Sequence, residues 1–314
     1  MAAVNEKNKS SAKAKIRAIE KIAARDVGRN IDALTAATSG QLYGAANHIA
    51  RTKRPVIGIV TGFFIATAQK PAAETDGPVG AAHLAGALNR AGIPVQIITD
   101  TFCQKPVKAA MAAVDPDVAV IVSAADKKGV EEIASQLSIG ENSVTHLIAV
   151  ERPGPSRDGR LRNMGATDIS RYCAPFESLF GIDGASRPYA TIGIGDGGNE
   201  IGMGKLPFEV IATNIKDGRR IACRVACDFC LVCGVANWGA VALAAAIACL
   251  MPNRQKAMLT GLNAEMDRRI LENVVRNGEG VDGLTGKKAM SVDGIGWQVH
   301  GELVERIQAG VEHE

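Results

Sequence analysis

The run Thr191-Ile192-Gly193-Ile194-Gly195 leads directly into Asp196-Gly197-Gly198-Asn199-Glu200. Its first half is apolar enough to be a buried strand. From Gly193 to Gly204 the chain carries six glycines in twelve residues. Glycine costs backbone entropy and adds no packing, so this density predicts unusual dihedral angles or a backbone that lies close against a ligand. The segment therefore predicts a strand that ends in a site.

Apolar runs of this kind alternate with helix-like segments from residue 55 onward. That alternation predicts a mainly parallel sheet with helices on both faces, a three-layer α/β/α fold. The predicted strands are Pro55–Thr61, Val95–Thr99, Val118–Ser123, Val144–Val150, Thr191–Gly195 and a less regular one near Phe229–Gly234. The predicted helices are Val79–Ala91, Lys105–Val114, Gly129–Leu137, Ile169–Phe180, Asn237–Leu250, Gln255–Asn277 and one from Trp297 to about Val311.

The chain shows no internal repeat and no low-complexity linker. The simplest division is an N-terminal helical extension over residues 1–52 and a single α/β domain over residues 53–314. With 314 residues, 46% hydrophobic and 22% charged, the chain is long enough to bury a substantial core.

Composition excludes several classes of protein. A net charge of +3 and 4% aromatic residues leave little for a nucleic-acid-binding face. The longest apolar stretch, Val235–Met251, is alanine-rich and interrupted by polar residues, so we expect a buried helix and no membrane span. The basic N-terminus has no apolar stretch after it, so we expect no secretory signal. We expect a cytoplasmic protein, with the mitochondrial matrix as the alternative for a eukaryotic source.

Four of the seven cysteines lie together as Cys223-x3-Cys227-x2-Cys230-x2-Cys233. The first three match the spacing of a radical S-adenosylmethionine iron–sulfur signature, but here the motif stands late in the chain and in an apolar run. We interpret these thiols as reduced core residues and expect no iron–sulfur cluster. Gly193-x-Gly195-x-x-Gly198 fits a dinucleotide fingerprint formally, but acidic residues would face the pyrophosphate, so we expect no NAD.

Ligands of open parallel sheets bind beyond the carboxyl ends of the strands. The polar residues at those ends are therefore candidate site residues. After the first strand come Thr61, Gly62, Glu74 and Asp76; after the second, Asp100; after the fourth, Glu151 and Arg152; after the fifth, Asp196 to Glu200. We expect them to meet at one edge of the sheet.

Four segments carry a resemblance to a known family: Glu74-Thr75-Asp76-Gly77-Pro78, Glu151-Arg152-Pro153-Gly154, Gly195–Gly204 and Gly234-Val235-Ala236-Asn237-Trp238-Gly239. Together they resemble the D-glutamate cyclase family, in the part that forms the C-terminal domain of its longer members. The resemblance runs from about Thr61 to Trp297. It implies a lyase that converts D-glutamate to 5-oxo-D-proline and water, with a small acidic amino acid as its partner. A homo-oligomer is left open.

Two other functions compete with that interpretation. Longer family members carry a further N-terminal region that resembles a hydro-lyase, and if that region holds the chemistry, this domain would bind a small anion without turnover. The third hypothesis is a metal-dependent hydrolase.

Ring closure of glutamate needs a base for the amine, a handle for the α-carboxylate and charge neutralisation at the γ-carboxylate. Arg152 is the candidate handle, because arginine binds carboxylates bidentately; an ordinary ion pair with Glu151 or another carboxylate is the alternative. Glu74 and Asp76 are candidate bases, with Glu200 as a further catalytic acid. Thr61, Gly62, Gly197, Gly198 and Asn199 are predicted to contact the substrate.

Asp196, Asn199 and Glu200 offer hard oxygen ligands and predict a Mg or Mn site. The alternative is that Asp196 and Asn199 hold turns while Glu200 caps a helix. Asp76 and Asn237 are also good N-caps of the helices that follow them, and Trp238 is expected to pack. Asp293-Gly294 predicts a turn first and a ligand second.

Overall fold

A six-stranded parallel sheet runs through the centre of the protein. The computed structural model describes residues 2–138, 143–181 and 187–312. The strands are β1 (Ile57–Thr61), β2 (Val95–Asp100), β3 (Val120–Ser123), β4 (His146–Val150), β5 (Ala190–Gly195) and β6 (Phe229–Val232). They lie in the order β3-β2-β1-β4-β5-β6, with every neighbouring pair parallel. Helices cover both faces, so the predicted three-layer α/β/α fold is confirmed.

Helices alternate with most of these strands, as predicted, but only 3-10 turns are described between β4 and β5, and the two short helices between β5 and β6 were not predicted. The helices are α1 (Ala2–Ala23), α2 (Asp32–Ala37), α3 (Gln41–Arg51), α4 (Pro78–Arg90), α5 (Gln104–Val114), α6 (Lys127–Ser138), α7 (Phe208–Asn214), α8 (Gly218–Ile221), α9 (Ala236–Leu250), α10 (Pro252–Leu259), α11 (Ala264–Arg276) and α12 (Trp297–Glu312).

Helix α9 is the apolar stretch that the sequence assigned to the core. Its residues 236–248 are all buried, and it packs in one hydrophobic cluster with α1, α3, α4 and α12. A second cluster covers the opposite face of the sheet and includes residues of α6 and α7. Among the described residues, no helix combines the length and the apolar character needed to cross a bilayer.

Two predicted helices are wrong in their extent. Residues 169–180 form only two short 3-10 turns, Ser170–Tyr172 and Phe176–Phe180, because Cys173 is extended and Pro175 cannot continue a helix. Residues 255–277 form α10 and α11 with a break between them. Gly261 adopts φ +76° there, and the Asn263 side chain accepts the Met266 N–H to begin α11.

The cysteines of the late cluster are divided between the two cores. Cys223, Cys227 and Cys230 lie in one hydrophobic cluster, whereas Cys233 lies in the other, across the sheet. Burial raises the pKa of each of these thiols. Buried, protonated thiols behave as small apolar side chains.

The N-terminal helices belong to the same packing. Ile16, Ile19 and Ala23 of α1 are buried in the cluster that contains α9, and α1 contacts α12 as well. The segment between α1 and α2 then reaches the carboxyl edge of the sheet, where Gly234 donates its N–H to the Ala23 carbonyl. The division at residue 52 stays a prediction of the sequence.

Candidate functional site

The site lies where the strand order reverses beside β1. In such a sheet the connections on either side of the reversal run to opposite faces, which leaves a crevice at the carboxyl ends of the strands. Glu74 and Asp76 follow β1, Glu151 follows β4, and Asp196 and Glu200 follow β5. All five are buried. The strand-end rule thus identified the edge of the sheet at which these acids meet.

Asp76 joins two helix N-termini. Its Oδ1 accepts the N–H groups of Gly77 and Asn237 at 2.9 and 2.8 Å, and its Oδ2 accepts the Ala236 N–H at 3.0 Å. In return, Asn237 Oδ1 accepts the N–H groups of Gly77 and Gly80 at 2.9 and 2.7 Å. Asp76 therefore caps α9 and Asn237 caps α4, so each residue caps the helix that the sequence assigned to the other.

Asp293 reaches the site from a C-terminal hairpin. Strands Ser291–Val292 and Ile295–Gly296 pair around Asp293 and Gly294, whose φ values of 53° and 78° are those of a tight hairpin turn. The predicted turn is confirmed. Asp282 holds the hairpin by accepting the Ser291 hydroxyl and the Gly294 N–H, both at 2.7 Å.

Glu200 organises the glycine loop from within. Its Oε1 accepts the N–H groups of Asp196 and Gly197 at 3.2 and 2.7 Å, and its Oε2 accepts that of Gly198 at 2.8 Å. The loop also folds back on β5, because a Cβ on Gly193 would lie 2.4 Å from the Ile201 carbonyl oxygen. Several glycines of the segment thus permit close backbone packing, and Glu200 holds the loop rather than capping a helix.

Arg29 enters the site from the segment between α1 and α2. Its Nη1 lies 2.5 Å from Asp196 Oδ2, and its Nη2 lies 3.0 Å from Asp293 Oδ2. Nη1 also donates to the Gly234 carbonyl at 3.2 Å. Burial would lower the pKa of the Arg29 guanidinium, but Asp196, Asp293 and Glu151 reverse that effect and raise it. Arg29 is therefore a charged partner of the acidic site.

Burial dominates the protonation of the carboxyl groups. Burial and, after it, the Asp293 carboxylate raise the pKa of Asp76 to about 7, although the Asn237 N–H and Arg29 lower it. Burial likewise raises the pKa of Glu74, Glu151 and Asp196 well above the usual range. Neighbouring carboxylates add to each of these increases. Groups with such pKa values can hold or exchange a proton near neutral pH.

Arg152 lies in the ion pair that the sequence left open as the alternative to substrate binding. Its Nη2 is 2.7 Å from Asp100 Oδ2, and both side chains are fully buried. Its Nη1 donates to the Gly62 carbonyl and its Nη2 to the Ala174 carbonyl, both at 2.9 Å. The guanidinium also stacks 4.7 Å above the Phe176 ring. These contacts hold the loops behind β1 and β4 together.

Some of the remaining predicted residues have side chains in the site, and others shape the backbone around it. Thr61 Oγ1 is buried without a hydrogen-bond partner in the described structure. It lies close to Gly77, as does the Cβ of Glu151. Asn199 donates to the Arg162 carbonyl at 2.8 Å, while its Oδ1 is buried and, among the described residues, unpaired. Gly62, Gly197 and Gly198 shape the backbone, and their contact with substrate stays a prediction.

Two overlapping sets of carboxylates could hold a metal ion, and they share Asp196. One set is Asp76, Asp196 and Asp293; the other is Glu151, Asp196 and Glu200, and in each the oxygens lie within 4.8 Å of one another. The second set includes two of the three predicted ligands. It also contains Glu151 Oε2, which is buried and has no hydrogen-bond partner among the described residues.

Three site residues were missed or given little weight by the sequence analysis. Arg29 lies in a segment predicted only as a helical extension, and only its neighbour Gly28 signals a loop there. Glu151 stands beside Arg152 in the Glu-Arg-Pro-Gly motif, and the two side chains turn out to face different partners. For Asp293, the sequence analysis gave more weight to the turn predicted by Asp293-Gly294 than to the carboxylate as a ligand. Each depends on contacts far along the chain, which local patterns do not report.

The chain is similar to a known protein family and to a human protein. Residues 19–308 match the family described as D-glutamate cyclase-like, C-terminal. The human protein named "D-glutamate cyclase, mitochondrial" is 29% identical over 324 aligned residues, which cover 95% of this chain and 52% of the human protein. The chain thus spans about half the length of the curated relative it matches.

Proposed function

The chain belongs to the D-glutamate cyclase-like C-terminal family, and on that premise we propose that it is a lyase that closes D-glutamate to 5-oxo-D-proline with loss of water. The observation that carries the proposal is the buried group of carboxyls with raised pKa values, gathered from separate segments around Arg29. Such a group can move protons within a dry site.

The proton balance of ring closure suits this set of acids. As the amine nitrogen attacks the γ-carbon, the substrate ammonium gives up two protons. One γ-carboxyl oxygen takes both protons and leaves as water. Asp76, with a pKa of about 7, is the proposed acceptor of the first proton. Glu74, whose pKa is higher than usual, is the proposed donor to the leaving oxygen.

The acidic residues also fit a divalent metal ion. Buried carboxylates in excess of Arg29 must be compensated by bound protons or by a cation, because uncompensated charge is costly in a protein interior. Glu151, Asp196 and Glu200 would hold the ion, with Asn199 Oδ1 as a further hard oxygen. A bound Mg²⁺ or Mn²⁺ would neutralise the γ-carboxylate and make its carbon more electrophilic.

The test is turnover of D-glutamate and L-glutamate by metal-stripped protein, with and without Mg²⁺ or Mn²⁺, with 5-oxoproline followed by chiral chromatography. Heat-denatured protein controls for spontaneous cyclisation. We expect product from the D isomer alone. Glu74→Gln is expected to lower kcat/KM by about 100-fold or more, since it removes a proton donor. The matched control is Glu279→Gln, which changes a surface acid paired with Lys105.

Other outcomes favour the competing hypotheses. Thermal stabilisation by D-glutamate without product would favour a binding module whose chemistry resides in a further region of a longer protein. Release of phosphate or ammonia from another small anion would favour the hydrolase. The proposed partner is a small acidic amino acid. The proposed compartment is the cytoplasm or, for a eukaryotic source, the mitochondrial matrix, since the human relative is named as mitochondrial.

A further inference from the structure

We propose that Arg29 binds the α-carboxylate of the substrate and so restricts the site to α-amino acids. This inference rests on the proposed function, since it names the group that orients the substrate for ring closure. It gives to the N-terminal segment the role that the sequence assigned to Arg152. The fully buried Arg152 is enclosed by Asp100, Gly62 and Ala174, whereas the Arg29 side chain keeps 19% of its surface exposed.

The segment that carries Arg29 is held in place at several points. Asp26 accepts the N–H groups of Gly28, Arg29 and Asn30 at 2.9 to 3.1 Å, which closes a tight turn around its side chain. Asn30 then donates to the Asn214 carbonyl at 2.9 Å. A guanidinium presented by such a loop loses little conformational freedom on binding a ligand.

The contacts of Arg29 leave donors for a ligand. A guanidinium has five N–H donors. Among the described residues, Arg29 donates one side-chain hydrogen bond, from Nη1 to the Gly234 carbonyl, while its contacts with Asp196 and Asp293 are ion pairs in which Oδ2 of each acid has no hydrogen-bond partner. N–H groups of Arg29 therefore remain for a ligand, and two of them suffice to hold both oxygens of one carboxylate. The exposed fraction of the side chain is 19% for Arg29 and only 3% and 5% for Asp196 and Asp293, so Arg29 is the most exposed side chain of the three.

The charges of the site are arranged as the complement of an α-amino acid. An α-amino acid carries an ammonium and a carboxylate on the same carbon. Here a guanidinium stands 2.5 Å from one carboxylate and 3.0 Å from another. With the α-carboxylate on Arg29, the ammonium meets Asp196 and Asp293, and the side chain of the substrate extends toward the buried acids. A ligand without the α-carboxylate would leave Arg29 unpaired by substrate.

The experiment compares ligands that differ only in that group. We would measure binding of 5-oxo-D-proline and of 2-pyrrolidinone, its analogue without the carboxylate, to wild type, Arg29→Gln and Arg29→Lys, together with D-glutamate kinetics. Loss of a charged bidentate contact is expected to weaken 5-oxo-D-proline binding and to raise KM for D-glutamate by about 30-fold in Arg29→Gln. Arg29→Lys should lose less, because it keeps the charge but not the planar fork. Pyrrolidinone binding should not change.

Arg25→Gln is the matched control, because Arg25 is an exposed arginine of the same segment. It should behave as wild type with both ligands. Equal weakening of both ligands in Arg29→Gln would mean that Arg29 only maintains the fold of the site, and unchanged binding of both would also overturn the inference. If wild type gives no turnover but binds 5-oxo-D-proline through Arg29, only the proposed function fails. If wild type binds neither D-glutamate nor 5-oxo-D-proline, both proposals fail.

Discussion

Glu151, at the end of β4, is in an energetically unfavourable state in two respects. Its φ of 44° lies in the left-handed region, which is unusual for a residue with a side chain, and its carboxyl is buried among other acids. Backbone strain of this kind persists only where the surrounding structure imposes it. Here the Glu151 N–H continues the β4 ladder to Ile194, while the side chain turns into the site. The combination is typical of functional positions.

Glu151→Gln should stabilise the protein at alkaline pH. Folding raises the pKa of Glu151, so the folded protein keeps the carboxyl proton to a higher pH than the unfolded chain does. The wild type therefore loses stability as the pH rises from the ordinary glutamate pKa of about 4.3 to the pKa of the folded state. Glutamine mimics the protonated form and removes this loss, which is about 1.4 kcal/mol for each pH unit that separates the folded and unfolded pKa values. Denaturant unfolding at pH 5 and pH 8 measures it. The exposed Glu302→Gln should show no such gain, and a larger gain at pH 5 than at pH 8 would contradict the assignment.

Gly283 leaves space for two site carboxyls. A Cβ at this position would lie 2.1 Å from Glu74 Oε2 and 2.9 Å from Asp293 Oδ1. Both atoms are at the ends of side chains, which can shift with little effect on the fold. Gly283 therefore belongs to the site although it contributes no functional group.

Gly283→Ala should displace the Glu74 carboxyl without unfolding the protein. We expect kcat/KM for D-glutamate to fall by about 10-fold or more, since small misplacements of reacting groups are costly, while Tm changes by a few degrees at most. Gly296→Ala, in the neighbouring hairpin, is the control, because a Cβ there meets nothing closer than 3.5 Å. Full activity in Gly283→Ala would remove Glu74 from the reaction.

At the level of elements, α4 and α9 are joined by the exchange of their N-caps. Each helix would otherwise leave its first N–H groups unpaired in a buried place. The close crossing depends on Gly80, where a Cβ would lie 2.5 Å from Asn237 Cα. The positive ends of both helices thus point at the site and favour negative charge there.

Asn237→Ala should cost more than the loss of an ordinary cap. It leaves the N–H groups of Gly77 and Gly80 with one acceptor fewer in a fully buried site, so we expect about 2–3 kcal/mol less unfolding free energy. Asn263→Ala removes the partly exposed cap of α11 and should cost about 1 kcal/mol. Equilibrium denaturation of both variants gives the comparison. Equal losses of unfolding free energy in the two variants would show that the Asn237 cap contributes no more to stability than an ordinary cap.

On the scale of the whole molecule, a buried ionic group ties three helices together behind the site. Asp267 of α11 lies 3.2 Å from His83 Nε2 of α4 and 3.0 Å from His300 Nδ1 of α12, and all three side chains are fully buried. Although burial acts against each charge, the two histidines lower the pKa of Asp267. The pKa of His300 is raised by Asp267 and, to a lesser extent, by Asp76 and Asp293. The Trp238 ring of α9 packs 5.6 Å from His300, which connects this group to the helix that Asp76 caps.

Asp267→Asn should destabilise the protein by about 3–5 kcal/mol, because it leaves buried histidine without its counter-charge. Asp267, whose pKa is lowered by folding, makes its full contribution to the free energy of unfolding above the ordinary aspartate pKa of about 3.9. His300, whose pKa is raised, makes its full contribution below the ordinary histidine pKa of about 6.5. The difference between wild type and variant should therefore be largest near pH ~5.5, between those two values. It should shrink above neutral pH as His300 loses its proton, and at low pH as Asp267 gains one. Urea unfolding across this range checks both signs, and a difference that grows with pH would refute the ionic assignment.

The strands were predictable because each is a short apolar run bounded by polar or glycine signals. Their predicted positions agree with the structure to within about two residues, the range at which assignments of element ends differ. The Pro175 and Gly261 breaks were also readable from local chemistry, although they were given too little weight against the apolar pattern. The carboxyl-edge rule then identified Glu74, Asp76, Asp196 and Glu200 as neighbours in one region. These inferences share one physical basis, since periodicity and chain direction are local properties.

The sequence by itself determined the layered α/β fold, the edge of the sheet that bears the site and the acidic character of that site. The pattern of apolar residues identifies the strands, and because the strands are parallel, their carboxyl ends and the acids that follow them meet at one edge. Only the tertiary structure decided which charges pair. It placed Arg152 with Asp100, brought Arg29 to Asp196 and Asp293, and exchanged the caps of α4 and α9. Those pairings join residues tens to hundreds of positions apart, and their energies depend on burial and distance, which no local pattern encodes.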